Sequence, residues 1–360
     1  MLSSIEKVYA TLINREYQQT LFGGLGLFQR KGIGFISCCP YHKDPLPTFL
    51  IYGDRPECFC FACGDRGDWI KYLRQKEGLS FHDALNTLER ACDISIRDYS
   101  EEQWEIEVFR AKILESAMDL FITHLWSKPG EEVLHYLYTR GYAMAEVEGM
   151  SLGYYPGFTK TRQALLKQGF NQGHLETTLS WLWKSNPDYP GIVIPYRDSS
   201  GRLMGLIHKD VRTNGLASYC QLTDFSYLND IPFLMYRSRG QEEVIVVEGY
   251  FDALLLDQAR LKPVIGIGTG GMKAGQIQTA AFLGTRHFIL ALGSSERQID
   301  ATDAAISLIN KLELTASVLP IPIDYKGLDE FIRMNCLDHF KTLLKKAVGS
   351  ENWLASNRGG

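Results

Sequence analysis

The chain has 360 residues, of which 45% are hydrophobic and 12% aromatic, which is enough for two or three packed domains and excludes a disordered protein. Its formal net charge of −4 argues against a protein that binds nucleic acid unselectively over its whole surface. No apolar run approaches the roughly 18 residues of a membrane span, and no secretory signal precedes the first charged residues. We therefore expect a cytoplasmic globular protein that makes no membrane contact.

Cysteine is concentrated near the N-terminus, where five of the eight cysteines fall within one short segment. This segment contains Cys39-x2-His42, then 17 residues, then Cys60-x2-Cys63. Close pairs of thiolate and imidazole ligands, joined by a loop long enough for a hairpin, can close a tetrahedron around Zn²⁺. Because four protein ligands leave no open coordination position, this zinc would be structural and not catalytic.

Two other cysteines compete for these ligand roles. The pattern Cys38-x3-His42, or a pair of Cys58 with Cys60, can be drawn in place of the first assignment. The two-residue spacings favour Cys39 and Cys63 as members of the set. The remaining alternative is a group of buried free cysteines without metal.

Strands and helices can be predicted on both sides of the cysteine segment. TFLIY and ECFCF have strand character, and SFHDALNTLERACDI places apolar residues on one face of a helix. The acidic stretch RDYSEEQWEIEVFR is either a domain boundary or the solvated face of a helix that continues through AKILESAMDLFITHLW. GIVIPYRDSSGRLMGLIHKDV is typical of a hairpin that turns at Asp198 to Gly201.

The last third of the chain alternates between strand and helix patterns. The predicted strands are EVIVVEG, PVIGIG, HFILAL and ASVLPI, and the predicted helices are YFDALLLDQA, AGQIQTAAFL and DATDAAISLINKL. This alternation predicts a mainly parallel α/β sheet. Glu248 follows the first strand, at the edge where such sheets bind ligands, and Asp252 comes one helical turn later. Asp252 can equally be an ordinary acidic residue of a first helical turn.

The cysteine segment resembles the zinc-binding domain of bacterial-type DNA primases, the DnaG family. The resemblance lies in Cys39-Pro40-Tyr41-His42, Pro47-Thr48-Phe49 and Cys60-Phe61-Ala62-Cys63-Gly64-Asp65-Arg66-Gly67-Asp68. It implies a domain that contacts single-stranded template DNA through basic and aromatic side chains beside the zinc. The basic candidates are Lys43, Arg55, Arg66 and Lys71.

The same resemblance extends to the rest of the chain. VLHYLYTRGY, SLGYYP and the hairpin are similar to the basic lobe of the primase polymerase domain, and nucleotide phosphates would be held by Arg140, Lys209 and Arg212. VIVVEGYFDALLL resembles the first motif of the Toprim fold, in which the glutamate organises Mg²⁺ or Mn²⁺ for nucleotidyl transfer. The implied catalytic carboxylates are Glu248, Asp252 and Asp329.

The sequence departs from this pattern at three places. Where the family has Asp-x-Asp, the chain has Gly293-Ser294-Ser295, with Glu296, Asp300 and Asp303 as possible substitutes. Gly327 stands where an aspartate is usual, next to Asp329 and Glu330. Ser218-Tyr219 replaces a usual Lys-Tyr pair. Neither glycine nor serine supplies a carboxylate for a Mg²⁺ site.

We expect an α+β and α/β multidomain protein with a zinc-binding domain at 1–98, a basic lobe at 105–240, a Toprim-like α/β domain at 241–335 and a C-terminal helix and tail at 336–360. The predicted function is template-directed synthesis of short RNA primers in DNA replication. The alternative is a catalytically lapsed homologue that binds single-stranded DNA as a replication accessory factor; a nuclease or topoisomerase-like activity is a weaker third hypothesis. The implied partners are single-stranded DNA, ribonucleoside triphosphates and a replicative helicase, although the sequence ends without room for a helicase-docking domain.

Overall fold

The structure is a computed structural model that describes residues 2–26, 28–32, 34–43, 45–179, 191–212, 219–221, 229–268, 270–322, 325 and 328–357. The chain forms two compact units. The N-terminal unit comprises Leu2–Ala117 with Arg197–Met204, and the C-terminal unit comprises Met118–Tyr196 with Gly205–Gly360. In the described ranges, no helix combines the length and the apolar character that a bilayer span requires.

The N-terminal unit packs helices around one antiparallel sheet. Its elements are α1 (Ser4–Asn14), α2 (Gln18–Phe22), β1 (Gln29–Lys31), β2 (Gly34–Ser37), β3 (Phe49–Tyr52), β4 (Glu57–Cys60), β5 (Arg66–Asp68), α3 (Trp69–Lys76), α4 (Phe81–Cys92) and the first part of α5 (Glu101–Leu125). The five strands are hydrogen-bonded in sequence order, and every neighbouring pair is antiparallel. The acidic stretch after residue 98 lies largely within α5, so it is helical.

Local sequence signals explain where several of these helices begin. Ser3 caps α1 in a capping box with Glu6, and Ser80 caps α4 by accepting the Asp83 amide. The predicted apolar face of α4 is buried, as expected for an amphipathic helix packed on a core. Trp69 is fully buried in the same core and contacts the ring of Tyr9 edge to face.

The C-terminal unit begins with helices and a small sheet. Its first helices are α6 (Glu131–Thr139), α7 (Met144–Gly149), α8 (Phe158–Lys167) and α9 (Gln172–Thr178), and its first strands are β6 (Gly153–Tyr155), β7 (Gly191–Arg197), β8 (Leu203–Asp210) and β9 (Tyr219–Gln221). The sheet order is β6-β7-β8-β9. The β7 and β8 strands form the predicted hairpin, since Gly201 donates its amide to the carbonyl of Asp198 at 3.0 Å. Gly201 has φ +92°, a conformation that favours glycine.

A second sheet in this unit has the predicted alternation. Its elements are β10 (Glu243–Val247), α10 (Tyr250–Ala259), β11 (Val264–Gly266), α11 (Ala274–Phe282), β12 (His287–Leu290), α12 (Glu296–Lys311) and β13 (Thr315–Val318). The strand order is β11-β10-β12-β13, with each neighbouring pair parallel. The strands are almost wholly buried, which is why their sequences are continuous apolar runs.

The C-terminal residues contribute more structure than the short helix and frayed tail that the sequence predicted. Helix α13 spans Leu328–Leu344, so the predicted domain boundary at residue 335 lies inside it. The chain then adds β14 (Val348–Gly349), antiparallel to β13, and ends its described part with α14 (Ser350–Asn357). The other predicted domain limits stay predictions.

Candidate functional site

The four predicted zinc ligands meet at one end of the antiparallel sheet. Their ligand atoms all lie within 4.8 Å of one another, and the ligands are Cys39, His42, Cys60 and Cys63. Two of them lie just after β2 and two at the end of β4, because pairing of Phe49 with Cys60 aligns the hairpin that separates them. Bond lengths of about 2.0 to 2.3 Å would place tetrahedral ligand atoms about 3.3 to 3.8 Å apart, so the cluster fits Zn²⁺ after small movements.

Hydrogen bonds inside this cluster favour the thiolate form of one ligand, Cys60. The Cys60 sulfur accepts the Cys63 amide and lies next to the Thr48 hydroxyl, both at 3.5 Å. Burial opposes ionisation of Cys60, but these bonds outweigh it and lower its pKa. At Cys39, burial and the neighbouring sulfurs raise the pKa to about 12. A divalent cation would offset that repulsion and favour the thiolates.

The competing cysteines lie outside the cluster. Cys58 alternates with Cys60 along β4, is buried, and donates its thiol to the carbonyl of Gly67 at 3.5 Å. Burial raises the pKa of Cys58 well above its ordinary value. Cys38 is half-buried, and its amide donates to the carbonyl of Gly26. The geometry therefore selects the assignment with two-residue spacings.

Three of the four basic residues predicted to contact DNA are engaged inside the N-terminal unit. Arg55 pairs with Glu57 at 3.3 Å, Arg66 pairs with Glu115 at 3.2 Å, and Lys71 pairs with Asp65 at 2.5 Å, all with largely buried side chains. Only Lys43 of this set is exposed. A sequence shows which residues are charged but not which of them are paired, so the acidic partners of these three residues were not predicted.

The sequence motif contains an aromatic residue beside the cluster that was not singled out as a DNA contact. Phe61 lies between two ligands, and 63% of its side chain is exposed. Its ring meets that of Phe59 edge to face at 5.1 Å, which leaves its outer surface open. The signal was present in the motif Cys-Phe-x-Cys, because a phenylalanine held in a tight metal-binding turn has little room to be buried.

The predicted nucleotide-binding residues of the C-terminal unit divide into two groups. Arg140 and Lys209 both lie against the ring of Tyr136, at 5.9 and 5.7 Å from its centre. Burial and the charge of Arg140 lower the pKa of Lys209 to about 8. Arg212 does not join them, because its guanidinium forms two hydrogen bonds to Asp210 at 3.1 Å. The predicted Ser218 lies outside the described residues.

Glu248 lies where the sequence predicted it, directly after β10 at the carboxyl edge of the parallel sheet. Its two carboxylate oxygens accept hydrogen bonds from Arg297 Nη2, at 2.8 and 2.9 Å. One of these oxygens also accepts a longer hydrogen bond from Gln298 Nε2, at 3.4 Å. Both donors belong to the first turn of α12. The loop that replaces the family's Asp-x-Asp therefore leads to nitrogen donors beside Glu248.

The other acidic candidates do not complete a carboxylate cluster in the described part of the chain. Asp252 is half-buried in the first turn of α10, with its carboxylate turned toward the backbone of Gly249. Asp303 accepts the indole N–H of Trp353 at 3.2 Å, while Glu296 and Asp300 are exposed. Among the described side chains, the Cys and His cluster is the only group of three or more convergent metal ligands. The Asp329 side chain and Gly327 lie outside that part.

Comparisons with known proteins find similarity both to the cysteine segment alone and to the longer chain. The profile of the CHC2 zinc finger family matches residues 8–104. The DNA primase of Chlamydia muridarum is 27% identical over 250 residues, covering 63% of this chain and 40% of that protein. The DNA primase of Thermotoga maritima is 22% identical over 346 residues, covering 91% of this chain and 59% of that protein. The chain is similar in sequence to bacterial DNA primases over most of its length.

Solved structures of primases share its fold. The Aquifex aeolicus primase, with its zinc-binding and RNA polymerase domains, superposes with a TM-score of 0.64 at 20% identity, covering all of this chain and 89% of that one. The DnaG primase catalytic domain bound to single-stranded DNA gives a TM-score of 0.59 at 17% identity, covering 70% of this chain and 83% of that one. The predicted family resemblance and fold class are therefore confirmed. The chain spans about 40 to 60% of the two curated relatives' length.

Proposed function

We propose that the chain is a DNA primase-like protein that synthesises short RNA primers on a single-stranded DNA template during replication. The observation that carries this proposal is the presence, in one chain, of a four-ligand CHC2 cluster and a parallel sheet with Glu248 at its carboxyl edge. The CHC2 cluster suits recognition of template DNA. The sheet edge with Glu248 suits phosphoryl transfer chemistry. A nuclease or topoisomerase would not need the CHC2 cluster.

Zinc has a structural role in this proposal. Cys39, His42, Cys60 and Cys63 would hold one Zn²⁺ and thereby fix the β2–β3 and β4–β5 connections of the sheet. Purified protein should contain about one zinc per chain. A metal-free protein that keeps its fold and binds DNA would contradict this role.

Template DNA would lie beside the zinc site. Phe61 offers an exposed ring on which a base can stack, and Lys43 offers a charge for a phosphate. In the C-terminal unit, Arg140 and Lys209 bring two positive groups to one aromatic ring, an arrangement suited to the phosphates of a ribonucleoside triphosphate. Arg212 would take part only if it released Asp210.

The residues around Glu248 differ from those of a divalent metal site. Primer synthesis would employ Mg²⁺ or Mn²⁺ at Glu248, Asp252 and Asp329, but the described side chains offer no third carboxylate and surround Glu248 with nitrogen donors. They do not fit the oxygen-rich coordination that Mg²⁺ requires. We therefore assign no reaction step to a metal at this centre.

This mismatch favours a second candidate function. A catalytically lapsed primase homologue would keep its zinc finger and bind single-stranded DNA as an accessory factor in replication. The specific observation is the pairing of Glu248 with Arg297. A contact with a replicative helicase is compatible with either function.

One assay separates the two candidates. Wild type and Glu248→Ala are incubated with a single-stranded template, ribonucleoside triphosphates and either Mg²⁺ or Mn²⁺, and labelled primers are measured. Primers made by wild type but not by Glu248→Ala support the primase. Equal inactivity of both proteins, with single-stranded DNA binding retained in fluorescence anisotropy, supports the accessory factor.

A further inference from the structure

The pairing of Arg297 with Glu248 has an unusual form. A single nitrogen, Arg297 Nη2, lies 2.8 Å from one carboxylate oxygen of Glu248 and 2.9 Å from the other. This nitrogen occupies the position between the two oxygens that a cation bound by both oxygens would take. The Glu248 side chain is 18% exposed, so few other directions of approach to its oxygens remain.

The start of α12 holds one of these donors, Gln298, in place. The N-cap residue Ser295 donates both its amide and its hydroxyl to Gln298 Oε1, at 3.2 and 2.8 Å. That orientation turns Gln298 Nε2 toward Glu248. Gly293 precedes the cap with φ +120°, and a Cβ at this position would lie 2.3 Å from Gln298 Oε1. Glycine at 293 therefore permits the close approach of the glutamine.

The charge balance at this edge of the sheet differs from that of a metal site. A metal site brings several carboxylates to one cation, whereas this loop brings one guanidinium and one amide N–H group to one carboxylate. The negative charge of Glu248 is thereby compensated within the chain. A divalent cation would have to displace a hydrogen-bonded guanidinium to reach both oxygens.

We propose that Arg297 is the resident cation of Glu248 and replaces a divalent metal ion at this carboxylate. Gln298, positioned by Ser295 and Gly293, acts as the second donor. This inference rests on the proposed function, since it concerns the cation of the same Toprim-like site, and it favours the second candidate, the accessory factor. Glu248 therefore binds neither Mg²⁺ nor Mn²⁺ while Arg297 is present.

Binding of Mn²⁺ to the full, zinc-loaded chain tests this inference, measured by the loss of the free Mn²⁺ signal in electron paramagnetic resonance. The variants are Arg297→Gln, Glu248→Gln, the double variant that combines these two substitutions, and Lys311→Gln. Lys311 is exposed at the far end of α12, so its variant removes one positive charge without touching the pair. Low ionic strength keeps electrostatic effects measurable at this partly exposed pair.

We expect Arg297→Gln to bind Mn²⁺ tighter than wild type by about tenfold or more. Lys311→Gln should match wild type, and the double variant should lose the gain. Equal Mn²⁺ binding by wild type and Arg297→Gln, whether strong or absent, would overturn the inference. The same holds for wild-type binding that Glu248→Gln abolishes.

The measurement uses neither DNA nor nucleotides, so its result is separate from that of the primer assay. A chain that makes primers and binds Mn²⁺ through Glu248 would retain the proposed function and reject this inference. A chain that makes no primers but gains Mn²⁺ binding in Arg297→Gln would support this inference and favour the accessory function.

Discussion

Phe61 is the single residue most open to a direct test of template binding. It exposes 63% of its side chain beside the zinc cluster, and base stacking on an aromatic ring contributes about 1 to 3 kcal/mol per base. We expect Phe61→Ala to weaken binding of a single-stranded oligonucleotide by about fivefold or more while the zinc content stays unchanged. Fluorescence anisotropy and metal analysis of the same samples measure both quantities.

A second exposed phenylalanine provides the matched control. Phe282 exposes 44% of its side chain at the end of α11, in the other unit. Phe282→Ala should leave DNA affinity unchanged. Equal weakening by both substitutions would mean that general loss of apolar surface, and not a base-stacking site at Phe61, causes the effect.

Gly293 gives a prediction about the carboxylate site. Its φ of +120° is costly for any other residue, and an added methyl group would collide with Gln298 Oε1. We expect Gly293→Ala to lower the free energy of unfolding by about 1 to 3 kcal/mol, measured by urea denaturation. Gly169, with φ +93° and open space around it, separates the two causes: Gly169→Ala should carry the backbone cost alone and destabilise less.

At the residue scale, the sequence predicted the zinc ligands better than the polar partners. Two-residue spacing restricts which of six nearby sulfur and imidazole groups can meet, so Cys39 and Cys63 followed from the pattern. No comparable rule links Arg297 to Glu248, which are 49 positions apart. The burial of Arg66 was missed for the same reason, because its partner Glu115 lies on α5. Arg55 pairs with Glu57 only two residues away, but the sequence does not show that this pair is buried.

At the scale of elements, buried ion pairs join the antiparallel sheet of the N-terminal unit to α5. Glu115 of α5 is 4% exposed and contacts Arg66 at 3.2 Å and Arg197 at 2.9 Å. Removing one partner leaves uncompensated buried charges, so Glu115→Gln should lower the free energy of unfolding by about 3 kcal/mol. Chemical denaturation measures the change, and Glu105→Gln, at an exposed position of α5, should have little effect.

The same carboxylate predicts a pH dependence of stability. Burial alone would raise the pKa of Glu115, but the charges of Arg197, Arg55 and Arg66 outweigh burial and lower it from 4.5 to about 2. Because the folded state holds the charged form more strongly, this contribution is complete above about pH 4.5 and is lost as the pH falls toward 2. The stability difference between wild type and Glu115→Gln should therefore shrink across that range. A difference that stays constant to pH 2.5 would contradict the assignment.

The buried carboxyl group of Glu57 gives the opposite pH dependence of stability to that of Glu115. Burial and the charge of Glu115 raise the pKa of Glu57 to about 7. Its protonation therefore favours the folded state at low pH, and that contribution is lost as the pH rises from about 4.5 through 7. The stability difference between wild type and Glu115→Gln should therefore be measured below pH 5, because Glu57 is already protonated there in the folded wild type.

Elements with a strong hydrophobic period were predictable from the sequence. The alternation from β10 to β13 follows from buried apolar runs separated by amphipathic helices, and tertiary packing agrees with it. Helix α5 was harder to predict, since its acidic first half resembles a domain boundary. The helix is nevertheless continuous over 25 residues. The two-residue β14 was not predictable, because a strand so short has no period and depends on the edge of β13.

At the scale of the whole molecule, the zinc cluster predicts unequal responses of the two units to metal removal. The cluster lies entirely in the N-terminal unit, where it ties together connections of a small sheet. We expect a strong chelator to increase amide hydrogen exchange in β2 to β5 while β10 and β12 keep their protection. Mass spectrometry of peptides from both units measures the difference, and restored protection after zinc addition is the control. An equal loss of amide protection in both units would contradict a local role of the metal.

The short strand β14 has a consequence for the protein's behaviour at high concentration. It covers the outer edge of β13, and α14 follows it with Trp353 hydrogen-bonded to Asp303 of α12. An uncovered edge strand offers unpaired amides and carbonyls to the same edge of another molecule. We therefore expect residues 348–357 to limit self-association. A chain shortened after Lys346 should form aggregates that scatter light under conditions in which the intact chain does not.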